Sequence, residues 1–182
     1  MQTIPSQYNK VNLYFQDESR FGLFTHHGRM LTAKGVKPIC KFQQVYKSPY
    51  LFGAFSPING NHFLYEMNCC DSTTFQLFLD EFSKYEKDEF KIIILDNGAF
   101  HKAKSLSIPH NIILFFLPPY SPELNPAEKM WQHFKRKFQN KHFKSIEGIS
   151  QFFTSTINEL TKKIVKNICE YEYVFLDINW TI

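Results

Sequence analysis

The chain has no apolar run approaching the roughly 18 residues that a membrane span requires. Its first ten residues, MQTIPSQYNK, lack the apolar core of a secretion signal. Cysteine is sparse: Cys40, Cys69, Cys70 and Cys169 form no C-x-x-C pair, and the vicinal Cys69 and Cys70 would bridge only with strain. That excludes a disulfide framework and argues against a zinc site. A reducing, cytoplasmic setting away from the membrane is the expectation. Internal repeats, low-complexity segments and interdomain linkers are also missing, and 182 residues suit one domain better than two. Arginine is scarce, 3 against 18 lysines, a bias that an AT-rich coding sequence produces.

What is present is an ordinary folded composition, 43% hydrophobic and 21% charged, with an unusual 20 phenylalanines. The net charge of +4 is unevenly placed. Residues 1–100 hold 10 Lys+Arg and 10 Asp+Glu, whereas residues 101–182 hold 11 and 7, so the second part carries the whole excess. Between 101 and 144 there are 8 basic and 2 acidic residues, and one of the two acids is Glu128. A basic field around a lone carboxylate suits an anionic partner such as nucleic acid.

Residues 1–10 read as a loose lead-in and 11–182 as the domain. VNLYFQ (11–16) alternates and predicts a strand continuing through Asp17 and Glu18, whose side chains must then point to opposite faces. FGLFTHHGRM reads as a second strand or a turn, and TAKGVKPI as a loop. YLFGAF (50–55) and HFLYEM (62–67) flank Asn59-Gly60 and predict a hairpin. DSTTFQLFLDEFSKYE (71–86) spaces its apolar residues by three and four, as an amphipathic helix does. KIIIL (91–95) and IILFFL (112–117) read as buried, parallel strands, the first central to the sheet, joined through a short helix near 101–107. Helices are then expected to about residue 139 and from Ser145 to about Lys166, while the tail ICEYEYVFLDINW fits helix or strand. The fold class is α/β, a mixed central sheet of a hairpin plus parallel strands, flanked by helices.

Three acids fall in telling places. Asp17 is on the first strand, Asp96 ends the strand KIIIL, and Glu128 opens the helix after the proline-rich stretch LPPYSPELNPAEKMW (117–131). In that stretch Asn125 suits an N-cap and Pro126 the first helical position. If the first strand lies beside the Asp96 strand, the three converge on one sheet edge. Such a cluster repels itself unless hard divalent cations, Mg²⁺ or Mn²⁺, neutralise it, and two such ions would support phosphoryl transfer. Each acid also has a plain structural alternative. Asp96 suits an Asx-turn, Glu128 a capping box with Asn125, and Asp17 an ion pair with Arg20. Lys129, His133, Arg136 and Lys137 share a helix face as phosphate contacts or as a solvated surface. Trp131 reads chiefly as a packing anchor. His101 reads as a neighbour of the metals or a buried structural histidine, and Tyr120 as packing or DNA contact.

The stretches FQDESRFGL (15–23), YLFGAFSPING (50–60), ILDNGAFHKAKSL (94–106) and LPPYSPELNPAEKMWQHFKRKF (117–138) resemble, in order, the catalytic domain of mariner-like insertion-sequence transposases. The resemblance implies a ribonuclease H-like fold. Its active site would be a triad of Asp17, Asp96 and Glu128 on two Mg²⁺ or Mn²⁺ ions, with Asn97, His101, Asn125 and Pro126 as motif residues shaping it. It further implies cleavage of double-stranded DNA at transposon ends, strand transfer into target DNA, a homodimer in the DNA complex and a nucleoid-associated location. Family members carry a helix-turn-helix region ahead of the triad, and ten residues cannot hold one. The chain is therefore expected to be the downstream half of a split gene with a separately encoded N-terminal DNA-binding half, a fragment, or a non-catalytic remnant that inhibits the full-length enzyme. A ribonuclease H-like enzyme acting on RNA in hybrids is a further alternative, disfavoured by the proline motif.

Overall fold

In the computed structural model of the chain, which describes residues 8–23, 32–37, 39, 43 and 45–171, five strands form one sheet in the order β3-β2-β1-β4-β5. Strand β1 (Lys10–Arg20) is its centre, paired antiparallel to β2 (Tyr50–Phe55) and parallel to β4 (Glu89–Leu95). The hairpin partner β3 (His62–Met67) closes one side and β5 (Ile112–Phe116), parallel to β4, the other. The hairpin turns at Gly60, whose φ of 76° lies in the left-handed region that glycine enters without penalty. A mixed sheet with parallel strands at one end and a hairpin at the other is the arrangement expected above.

Helix α1 (Ser72–Lys84) covers one face. It starts at a capping box, Asp71 accepting from Thr73 and Thr74 while the Thr74 hydroxyl accepts from the Asp71 N–H. Its buried Phe75, Phe78, Leu79 and Phe82 meet Tyr14, Phe52, Ile93 and Leu95 of the sheet. The other face carries α2 (Ala127–Phe138), α3 (Ile146–Asn158) and α4 (Lys162–Ile168), packed on Phe15, Phe21, Leu51 and Phe55. Among the described residues no helix is long and apolar enough to cross a membrane, and Cys69, Cys70 and Cys169 are free thiols.

Several elements depart from the sequence-based expectations. IILFFL is an edge strand with Phe115 and Phe116 exposed, because a run of apolar residues does not reveal how many neighbours it will have. KIIIL stands beside the centre, which β1 occupies. The crossover between β4 and β5 contains a 3₁₀ turn, Ala99–Lys102, in place of a helix at 101–107. The single helix expected from Ser145 to Lys166 is broken in two, since the Thr161 hydroxyl accepts from the Ile164 N–H and starts a new helix. FGLFTHHGRM runs into residues 24–31, and most of the C-terminal tail is 172–182; both lie outside the described residues, as does Cys40.

Candidate active site

The parallel ladder of β1 and β4 ends with Phe15 opposite Ile94. Asp17 and Asp96 each follow two residues later, level with one another: Asp96 lies just past the end of β4, while Asp17 stays within β1, opposite Gly53 of β2. Alternation then separates Asp17 from its neighbour. Asp17 shares a strand face with Phe15, in the core beneath α2, whereas Glu18 shares one with Tyr14, in the core beneath α1.

Asn125 brings Glu128 to Asp17. Its backbone is extended and Pro126 already has helical angles, while its Oδ1 accepts from the Ala127 N–H at 3.1 Å. Asn125 thus caps α2 with Pro126 in the first turn. The same buried side chain donates through Nδ2 to the Gln16 carbonyl at 3.0 Å, one residue before Asp17. No capping box forms, because the Asn125 N–H donates to the Pro122 carbonyl at 2.9 Å, so the cap does not use the Glu128 carboxylate. Trp131 fixes the rest of the helix. It is buried, edge-on to Phe55 at 5.5 Å, and a Cβ on Gly53 would come within 2.8 Å of it. Asn97 ties the end of β4 to the start of the proline stretch by donating to the Leu117 carbonyl.

Asp17, Asp96 and Glu128 therefore line one cleft of about 570 Å³, with Asn97, Lys102 and the proline stretch forming its walls. Tyr120, at φ 58°, stands fully exposed at its rim, so it is not a packing residue. Burial, together with the neighbouring charges of Glu18, Glu128 and Asp96, pushes the Asp17 carboxyl up to about 8. Asp96 behaves oppositely. The hydrogen bond from His101 and another from the Gly98 N–H hold it below the usual carboxylate range, and the Gly98 bond makes the Asx-turn foreseen as its alternative. No ion pair joins Asp17 to Arg20 among the described residues.

His101 is buried, with Nδ1 at 2.8 Å from Asp96 Oδ1 and Nε2 at 3.0 Å from Glu18 Oε1. Burial alone would lower its pKa; the two carboxylates override that and raise it to about 9. With both nitrogens engaged it is a structural histidine. Glu18 is the residue that sequence reasoning set aside, and Lys102, in the cleft wall, is the other one missed. Of the basic residues on α2, Lys129 lies over the Tyr171 ring at 3.8 Å, Lys137 pairs with Glu159, His133 is half-buried and Arg136 is exposed. His133 is held below the ordinary histidine range by burial and by Lys137 and Arg136.

Among the described residues no three His, Cys, Asp or Glu side chains form a ready-made metal-binding group. The three carboxylates share the cleft without closing on one point. Their chemistry nonetheless fits a hard divalent cation. The donors are all oxygen, Asp17 is half-buried against uncompensated like charge, and both hydrogen bonds of Asp96 fall on Oδ1, so Oδ2 has no hydrogen-bond partner among the described residues.

Residues 12–150 match the family described as DDE superfamily endonuclease. The chain belongs to that family. A relative of this chain, the uncharacterized protein y4pE/y4sA of Sinorhizobium fredii (strain NBRC 101917 / NGR234), is 35% identical over 113 residues, 61% of this chain and 84% of its own length. The fold is similar to that in the Mos1 strand transfer complex (TM-score 0.68, 12% identity, 87% of this chain and 50% of that one). It is likewise similar to the Mos1 mariner paired end complex with Mg (TM-score 0.66, 13% identity, 87% and 51%). The chain thus spans about half the length of the Mos1 chains and shares their ribonuclease H-like fold.

Proposed function

We propose that the protein is the catalytic domain of a DNA transposase, cutting DNA at transposon ends and joining the freed 3′ ends to target DNA at one site. The observation that carries the reading is the convergence of Asp17, Asp96 and Glu128, from three separate elements, on one cleft in which Asp17 is left without a compensating cation. Asp17, Asp96 and Glu128 would hold Mg²⁺ or Mn²⁺, the first of which is named in the Mos1 paired end complex. Two bound ions would supply a water or hydroxyl activated at neutral pH and stabilisation of the leaving oxygen of a phosphodiester.

The chain's own residues prepare that chemistry. Asn125 and Trp131 fix the helix that carries Glu128, and Asn97 fixes the strand end that carries Asp96. Lys102 in the cleft wall and Arg136, Lys129 and Lys137 on α2 provide the cationic surface for the DNA backbone, and His133 beside them offers a neutral hydrogen-bonding ring. Tyr120 at the rim offers an exposed ring to the DNA beside the cleavage point. The working assembly is a homodimer holding paired double-stranded ends. The test is Asp96→Asn, which leaves a folded protein by circular dichroism but lowers Mg²⁺-dependent nicking and joining of an end-bearing DNA by about 1,000-fold or more. Full activity in that variant would sink the assignment.

A further inference from the structure

Glu18 and Asp96 lie on neighbouring strands and do not touch, yet one side chain connects them. The His101 ring sits between them, Nδ1 at 2.8 Å from Asp96 Oδ1 and Nε2 at 3.0 Å from Glu18 Oε1. Ionised carboxylates only accept hydrogen bonds, so a ring bonded to two of them donates at both ends. The ring cannot swing away, because Phe100 and Phe75 hold it at centroid distances of 4.0 and 4.5 Å. Glu18 is itself held, since Oε1 also accepts from Nε2 of the fully buried Gln16 at 2.6 Å. The backbone is fitted to this pair: a Cβ on Gly98 would stand 3.0 Å from His101 Nδ1 and 3.1 Å from Asp96 Oδ1, so a side chain there would crowd the bond between them.

Apart from His101, the one hydrogen bond on the far carboxylate among the described residues is from the Gly98 N–H at 2.9 Å, a local Asx-turn. The Asp96 side chain is 61% exposed, against 9% for Glu18 and 1% for His101. It lies past the end of its strand, where rotamer freedom would otherwise be large. We propose that Glu18 is a positioning residue for Asp96, acting through His101 from the opposite face of the sheet to fix the carboxylate that serves the cleft. The inference rests on the reading of Asp96 as a metal ligand. It assigns this role to the acid next to Asp17, whose strand direction takes it away from the cleft. Partners that orient a ligand from behind in this way contribute about 10–100-fold to metal affinity or activity in metal sites.

The test compares Glu18→Ala, which removes the acceptor, with Glu18→Gln, which keeps its size and one acceptor oxygen, in the full chain. Two properties are measured: the Asp96 χ1 rotamer from NMR couplings in metal-free protein, and Mn²⁺ affinity by calorimetry. The wild type should show one χ1 rotamer. Glu18→Ala should show averaged couplings and Mn²⁺ binding about 10–100-fold weaker, with Glu18→Gln restoring most of both. A single χ1 rotamer in Glu18→Ala overturns the proposal. So does unchanged Mn²⁺ affinity there when Asp96→Asn does lose it. If Glu18→Ala does not fold, Glu18→Met, which fills similar space without a carboxylate or amide oxygen, decides in its place: couplings and affinity both equal to the wild type overturn the proposal, and a loss in either that Glu18→Gln does not show supports it. If Asp96→Asn binds Mn²⁺ like the wild type while Glu18→Ala frees χ1, the metal reading of Asp96 fails and the positioning role of Glu18 stands.

Discussion

Asp17 and Glu18 are adjacent in β1 and have opposite circumstances. On the α1 face, Glu18 accepts from Gln16 and His101. On the α2 face, Asp17 has Glu128 and Asp96 near it, and burial with like charge raises its carboxyl to about 8. Within this adjacent pair, the carboxylate facing α1 is compensated by His101 and the one facing the cleft is not. The contrast teaches that this arrangement of acids carries an electrostatic cost by itself, a recurrent condition of sites arranged to bind something.

Asp17→Asn breaks the uncompensated side of the comparison and should have the largest effect, lowering metal-dependent nicking by about 1,000-fold or more. The same change should stabilise the metal-free protein. A carboxyl raised from near 4 to about 8 binds its proton more tightly when folded, so wild-type stability falls as pH rises between those values. Relative to wild type, Asp17→Asn should gain nothing near pH 4. At pH 8 it should gain on the order of 1–2 kcal/mol, roughly 2–8 °C in Tm. Thermal melts across that range check the sign, and added Mg²⁺ should shrink the difference by stabilising only the wild type.

His101→Ala breaks the compensated side. It leaves Glu18 without its cation and opens a void between Phe75 and Phe100, and should cost about 3–5 kcal/mol at pH 7 in chemical denaturation. The contribution of a histidine raised to about 9 is complete below its unfolded value near 6.5 and is lost as pH rises through 9. The gap between wild type and His101→Ala should therefore narrow between pH 7 and pH 10. The smallest effect belongs to the rim, which sharpens the comparison by touching neither side. Tyr120→Ala should leave stability within about 0.5 kcal/mol and weaken binding of an end-bearing DNA by about 5–10-fold in a fluorescence titration, in keeping with the loss of one stacking contact.

Much of this organisation was legible in the residues. Asn59-Gly60 announced the hairpin, alternation in VNLYFQ placed Asp17, and Asn125-Pro126 announced the start of α2. What stayed hidden depends on contacts between distant parts of the chain. Glu18 is a plain alternating acid until His101, 83 residues later, arrives beneath it. The exposure of β5 follows from its place at the end of the sheet among the described residues, which IILFFL cannot report. The break between α3 and α4 was signalled locally by Thr161, but the apolar spacing of Ile157, Leu160 and Ile164 continues through it and suggests one helix.

The bond from Asn125 to the Gln16 carbonyl joins residues 109 apart. During synthesis the first strand leaves the ribosome long before its partner does, and a chain interrupted between residues 96 and 125 has Asp17 and Asp96 but neither the clamp nor Glu128. The cleft is consequently one of the last parts of the molecule to come into being, and a product terminated between Asp96 and Asn125 would carry two thirds of the triad on a sheet with nothing to complete it.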